Sequence, residues 1–145
     1  MPDLDELPDW PDATVAWLVT VGGEPHAIPL STALRIGPRE ALLALGRRRG
    51  SLRRLREDPR VALAVIAPGL AFTAHGEAVV AADPLPGAEN VAAVALATLR
   101  IQDHAGPTFA LDDGVRWRWT DVRAQEADAR TRAALRNLAA RGWPG

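Results

Sequence analysis

Three consecutive arginines, Arg47, Arg48 and Arg49, lie between Gly46 and Gly50, and Arg53, Arg54 and Arg56 follow closely. Each guanidinium is a rigid fork of donors that matches the oxygens of a phosphate or carboxylate. A hydrophobic strand enters this loop, and a short helix leaves it. A helix start adds free amides and a partial positive charge. The chemistry on offer is anion binding, most simply of a phosphate. Arg49, Arg53 and Arg47 or Arg48 are the candidate contacts. Ser31 and Thr32 end a neighbouring strand, and their hydroxyls are candidate donors to the same group.

A blander reading competes. All 17 basic residues are arginine, in a chain rich in Ala, Gly and Pro, which points to GC-biased codon usage. The loop would then be a solvated turn, with Glu57 and Asp58 pairing locally. Nucleic acid is a third reading, but a net charge of -1 argues against the broad basic face such a binder shows.

Other chemistry is sparse. His26, His75 and His104 are too scattered for a metal spacing, and there is no Cys for thiol catalysis, disulfides or a metal. No Ser-His-Asp set, phosphate-cradling Walker loop or paired carboxylates stand out. Trp117 and Trp119 are candidates to stack on a flat ring, or else to form core or interface. Arg116 and Arg118 lie on the opposite face of the same predicted strand.

The elements that must position these residues follow from hydrophobic pattern and turn signals. Residues 1–12, with Pro2, Pro8 and Pro11, read as an irregular arm. Residues 13–21 are a strand with Val15, Trp17 and Val19 on one face and Ala16 and Leu18 on the other, expected to be covered on both sides. Gly22-Gly23-Glu24-Pro25 turns the chain into a strand over 26–34, where Pro29 predicts an edge position. A third strand covers 41–45. The short helix follows, with Ser51 as its expected N-cap and Pro59 as its stop. Strands are predicted over 61–67, 71–81 and 114–120; the alanines of 91–102 allow a helix, but its alternating pattern favours a strand. A helix covers 123–141, with Glu126–Arg130 and Asp128–Arg132 as i,i+4 pairs, Leu135 and Leu138 on its apolar stripe, and Gly142 at its end.

Two segments in this order resemble the pyridoxamine 5'-phosphate oxidase-like family of flavin-binding split barrels. Pro25-His26-Ala27-Ile28-Pro29-Leu30 is similar to the family's G-x-P-H-x-x-P second strand. The run from Ser51 through Asp58-Pro59-Arg60-Val61 to Leu63 is similar to its K-x-x-N-L-x-x-D-P-R-V helix-to-strand segment. The resemblance implies a mainly β fold, a six- or seven-stranded antiparallel split β-barrel with a short helix after strand 3 and a C-terminal helix. The domain plan is an arm over 1–12, a flavin-binding-like barrel over 13–122, and a helix with tail over 123–145.

The resemblance also implies a homodimer with flavin mononucleotide (FMN) in two symmetric clefts. The implied contacts are His26, Ile28, Pro29, Leu30, Ser31, Thr32, Arg47, Arg48, Arg49, Ser51 and Arg53. Ser51 stands where the family usually carries a phosphate-binding lysine, and Ala44 and Leu45 replace its aromatic and hydroxyl positions. No counterpart of the oxidase's C-terminal substrate segment is present. The expectation is therefore an FMN- or deazaflavin- (F420-) binding oxidoreductase other than a true pyridoxamine phosphate oxidase, with no catalytic residue assigned. The alternatives are a cofactor-free dimer and an anion- or nucleic-acid-binding module.

The 145 residues, 48% hydrophobic, suit one domain with a real core. No apolar run approaches a membrane span, and the acidic start is the reverse of a signal peptide. A bacterial-type cytoplasmic protein is expected.

Overall fold

A computed structural model describes residues 3–142; Pro2 of the arm and residues 143–145 of the tail lie outside the described residues. Eight strands and two helices follow in the order β1 (Asp3–Leu4), β2 (Ala16–Thr20), β3 (His26–Leu30), β4 (Leu34–Gly37), β5 (Glu40–Gly46), α1 (Gly50–Glu57), β6 (Arg60–Ala67), β7 (Leu70–Ala82), β8 (Val91–Asp103) and α2 (Val122–Arg141). The sheet runs β3-β2-β6-β7-β8-β5-β4, with β1 added beside β8, and every pairing is antiparallel. This is a mainly-β split barrel. The alternation read over 91–102 is a strand, and Pro29 lies in β3, an edge of the sheet, where a missing N–H is tolerated.

Three expectations are corrected. The predicted strand over 26–34 is two strands. Between them Thr32 sits opposite Ala44, accepting from its N–H at 3.1 Å and donating to its carbonyl at 3.4 Å. The hydroxyl thus replaces main-chain bonds where the chain crosses from one sheet edge to the other. Second, 114–120 is irregular, although its residues alternate. It is held from outside the ladder: Trp117 Nε1 donates to the Ala13 carbonyl at 3.0 Å, and Gly114 lies against Ile66 and Ala67. Third, β2 is covered on one face only. Ala16, Leu18 and Thr20 are buried, while Trp17 is 47% exposed.

The arm is tied down. Asp3–Leu4 pair with β8, Leu7 is buried, and the Trp10 indole donates to the Ala33 carbonyl while packing on Phe72. Strand β5 is buried on both faces because it serves two cores. Leu43 and Leu45 join Leu18, Leu63, Phe72 and Ile101 inside the barrel. Leu42 and Ala44 pack with Leu85, Leu135 and Leu138 under α2. Helix α2 starts at the N-cap Asp121, which accepts from the Arg123 N–H, and ends at Gly142 with a φ of 73°. Of its expected ion pairs, Asp128–Arg132 forms.

The β2–β3 hairpin touches α1 through Gly22. A Cβ there would lie 2.3 Å from the Arg54 carbonyl oxygen, so only glycine allows this approach. Gly22→Ala should therefore destabilise the fold by about 1–3 kcal/mol as hairpin and helix are forced apart. Gly37→Ala, whose Cβ would meet only Glu40 at 3.8 Å, should stay within about 0.5 kcal/mol of the parent. Urea unfolding midpoints of the two variants check this.

Candidate anion site at the arginine loop

The loop begins where β5 leaves the sheet. Gly46 is still opposite Val91, and the Arg47 N–H reaches the Asn90 carbonyl at 3.4 Å. Arg49 then holds extended backbone and is the N-cap of α1, contributing no side-chain cap. The expected cap, Ser51, is instead buried at 2% exposure. The helix starts two residues earlier than Ser51 would require, because Leu52 and Leu55 must face the core and carry Ser51 inward with them. No acidic residue occupies the first turn. The start of α1 is thus uncapped and unneutralised, which leaves its dipole to an outside anion.

Arg47, Arg48, Arg49, Gly50, Leu52, Arg53 and Arg56 line a concavity of about 240 Å³. The arginines divide into two groups. Arg47 Nε donates to Asp83 Oδ1 at 2.5 Å, and Arg56 Nη2 to Asp83 Oδ2 at 3.0 Å. One carboxylate from the loop after β7 therefore clamps both ends of the arginine cluster. Arg60 is likewise taken, by Asp58. Among the described residues, Arg48, Arg49, Arg53 and Arg54 have no ion pair. They are the guanidiniums free to meet a ligand.

The other predicted contacts fall elsewhere. Pro29, Leu30 and Ser31 line a second, smaller hollow with Val15 and Trp117. The Ser31 hydroxyl donates to Asp128 at 3.2 Å on α2, and the Thr32 hydroxyl is spent on Ala44. His26 is half-buried at the hairpin end of β3, and Ile28 packs against the barrel core. The structure thus gathers Arg47, Arg48, Arg49 and Arg53, keeps Ser31 and Thr32 occupied, and turns Ser51 away. His75 bonds Gln102 and His104 bonds Thr73, and no cluster of metal-ligating side chains occurs among the described residues. Asp83 escaped the sequence reading: it is far from the loop along the chain, and nothing local marks it.

No protein-family model matches the chain, and no curated protein matches it. Solved structures do share its fold. A Lactobacillus delbrueckii protein provisionally named a pyridoxamine 5'-phosphate oxidase superposes with a TM-score of 0.58 at 16% identity, over 70% of this chain and 99% of its own. An F420 reductase matches with a TM-score of 0.55 at 14% identity, over 62% of this chain and 90% of its own. A heme binding protein from Mycobacterium smegmatis matches with a TM-score of 0.50 at 21% identity, over 62% of this chain and 48% of its own. The shared feature is the split-barrel fold. No helix among the described residues is long and apolar enough to cross a membrane.

The hydrogen bonds from Arg47 and then Arg56 hold the Asp83 carboxyl below the usual carboxylate range. A depressed folded-state pKa means stability that is present above the unfolded value and lost as pH falls through the folded one. The urea midpoint of the parent should therefore exceed that of Asp83→Asn at pH 6. The gap should close as pH falls below about 4, where even an unperturbed aspartate protonates.

Proposed function

We propose that this protein is a split-barrel dimer that binds a flavin-type cofactor, FMN or the deazaflavin F420, by its phosphate at the arginine loop. One observation carries the reading: Arg48, Arg49 and Arg53, free of acid partners among the described residues, surround a helix start with no side-chain cap. A phosphate fits that donor set, because each free guanidinium can make a charge-assisted bond to it. Two of the solved structures sharing the fold carry names that refer to pyridoxamine phosphate oxidation and to F420, which supports this cofactor class. The flavin, when bound, supplies the redox chemistry, and the protein's part is to anchor and orient it. The enzyme class that goes with it is an oxidoreductase.

The dimer reading rests on the open face of the sheet. Trp17 and Ile66 are 47% and 56% exposed, with Pro29 exposed and Ala62 and Ala64 half-buried beside them. A contiguous apolar patch of this kind marks an interaction surface. A second copy of this chain is the proposed cover, and sedimentation should report twice the chain mass.

A cofactor-free dimer is the second reading. It is favoured by the hydroxyls of Ser31, Thr32 and Ser51, none of which faces the loop. Titration with FMN and with F420 separates the two. Binding is expected for one of them, and Arg49→Ala with Arg53→Ala should weaken it at least about tenfold, the scale of one charged hydrogen bond, without loss of folding. A protein that binds neither cofactor leaves the cofactor-free reading.

A further inference from the structure

The chain between β8 and α2, residues 104–121, has no helix or strand. Long structureless loops inside compact domains are uncommon and usually serve function. Beyond His104, which bonds β7, three further contacts pin it. The Gly69 N–H donates to the Leu111 carbonyl at 2.7 Å, Gly114 abuts Ile66 and Ala67, and the Trp117 indole bonds Ala13. Its last part forms one wall of a cleft of about 430 Å³ against α2, which shares no residue with the arginine-loop concavity.

The cleft joins two kinds of chemistry. Trp117 and Trp119 meet edge to face with ring centroids 5.1 Å apart, and each remains 37% exposed. An edge-to-face pair leaves ring surface for a third aromatic group. On the α2 side lie Asp128 and Arg132, with side chains 7% and 17% exposed. Asp128 is held at both oxygens, by the Ser31 hydroxyl and by Arg132 Nη1. Arg132 spends only that one nitrogen on a partner among the described residues, and a guanidinium carries five N–H donors. A pair of charges this buried is weak evidence of stabilisation, since desolvation offsets the attraction. It does leave an oriented guanidinium with donors to spare. The lining holds Arg116, Arg118 and Arg132 with Asp12 and Asp128; Asp113 pairs with Arg116 and Arg136 with Asp12, so four arginines meet three aspartates and the excess charge is positive.

We propose that this cleft binds a flat aromatic anion, a ring bearing one carboxylate, with Trp117 and Trp119 as the stacking wall and Arg132 as the anchor for the carboxylate. The site is independent of the flavin reading and stands or falls without it.

Calorimetric titration with 2-naphthoate and with its uncharged amide tests the proposal. The parent should bind the acid at least about tenfold more tightly than the amide, as one charged hydrogen bond requires. Arg132→Lys keeps the charge beside Asp128 but loses the fork, and should erase most of that preference. Trp119→Ala should weaken both probes alike. Circular dichroism and sedimentation on each variant confirm an intact fold and an unchanged oligomeric state. Equal binding of acid and amide by the parent, no binding of either, or acid binding unaffected by both substitutions would overturn the proposal. A Trp119→Ala variant that dissociates the oligomer would overturn it too, by showing the wall to be an interface.

Discussion

The architecture depends on one close approach between two backbones. Gly76 of β7 lies so near β8 that a Cβ would fall 2.0 Å from the Ala97 carbonyl oxygen. The register shifts there, between His75 opposite Arg100 and Gly76 opposite Thr98, and Leu99 is thrown outward to 70% exposure. A bulge of this kind bends a strand pair and increases its twist. The bend is held by the turn before β5: the Arg39 carbonyl accepts from the Thr98 N–H and hydroxyl, while Arg39 Nη2 donates to the Leu99 carbonyl. On one side of it β8 pairs with β1, and on the other with β5. Two cores therefore share one sheet, and β5 is driven between them. Gly46, at the end of β5, delivers the arginine loop to the point where β8 begins.

Electrostatics then sorts the arginines of that loop. A cluster of like charges repels itself, and its cost falls when an acid is placed among them. Asp83 supplies that acid at Arg47 and Arg56, the two ends of the cluster, and the middle is left open. The same carboxylate that relieves repulsion also ties the loop after β7 to α1. The sorting of the loop's charges and the tie between the β7 loop and α1 thus rest on one side chain. The free set, Arg48, Arg49, Arg53 and Arg54, is what remains once the structure's own needs are met.

How much of this was legible in the sequence follows from the range of each interaction. Apolar runs mark β6, β7 and β8 because burial sets their period, and Pro29 marks an edge because a missing donor is a local fact. The helix after the loop is equally local, ended by Pro59. Ser51 misled because capping is decided by where Leu52 and Leu55 must point, which is a property of the core. The 114–120 alternation misled because a strand needs an edge to pair with, and β3, an edge of the sheet, carries a proline. Asp128–Arg132 is local and was legible as an i,i+4 pair, whereas the Asp83 clamp, the Thr32 bridge and the Ser31–Asp128 bond join residues further apart along the sequence.

The open face of the sheet shows how the barrel divides its outer surface. Pro29, Trp17, Ala64, Thr73 and Gln102 sit directly opposite one another across β3, β2, β6, β7 and β8, so they form one row on one face. The row is apolar at one end and polar at the other. Thr73 and Gln102 belong to the hydrogen-bonded pairs with His104 and His75. Burying the β3–β2–β6 end removes exposed Trp17 from water, with its indole N–H the single side-chain donor in that part of the row to satisfy. Burying the β7–β8 end would strip water from four polar side chains that already satisfy one another in pairs. A covering surface is therefore favoured over the first half and disfavoured over the second. The polarity of the row changes between β6 and β7.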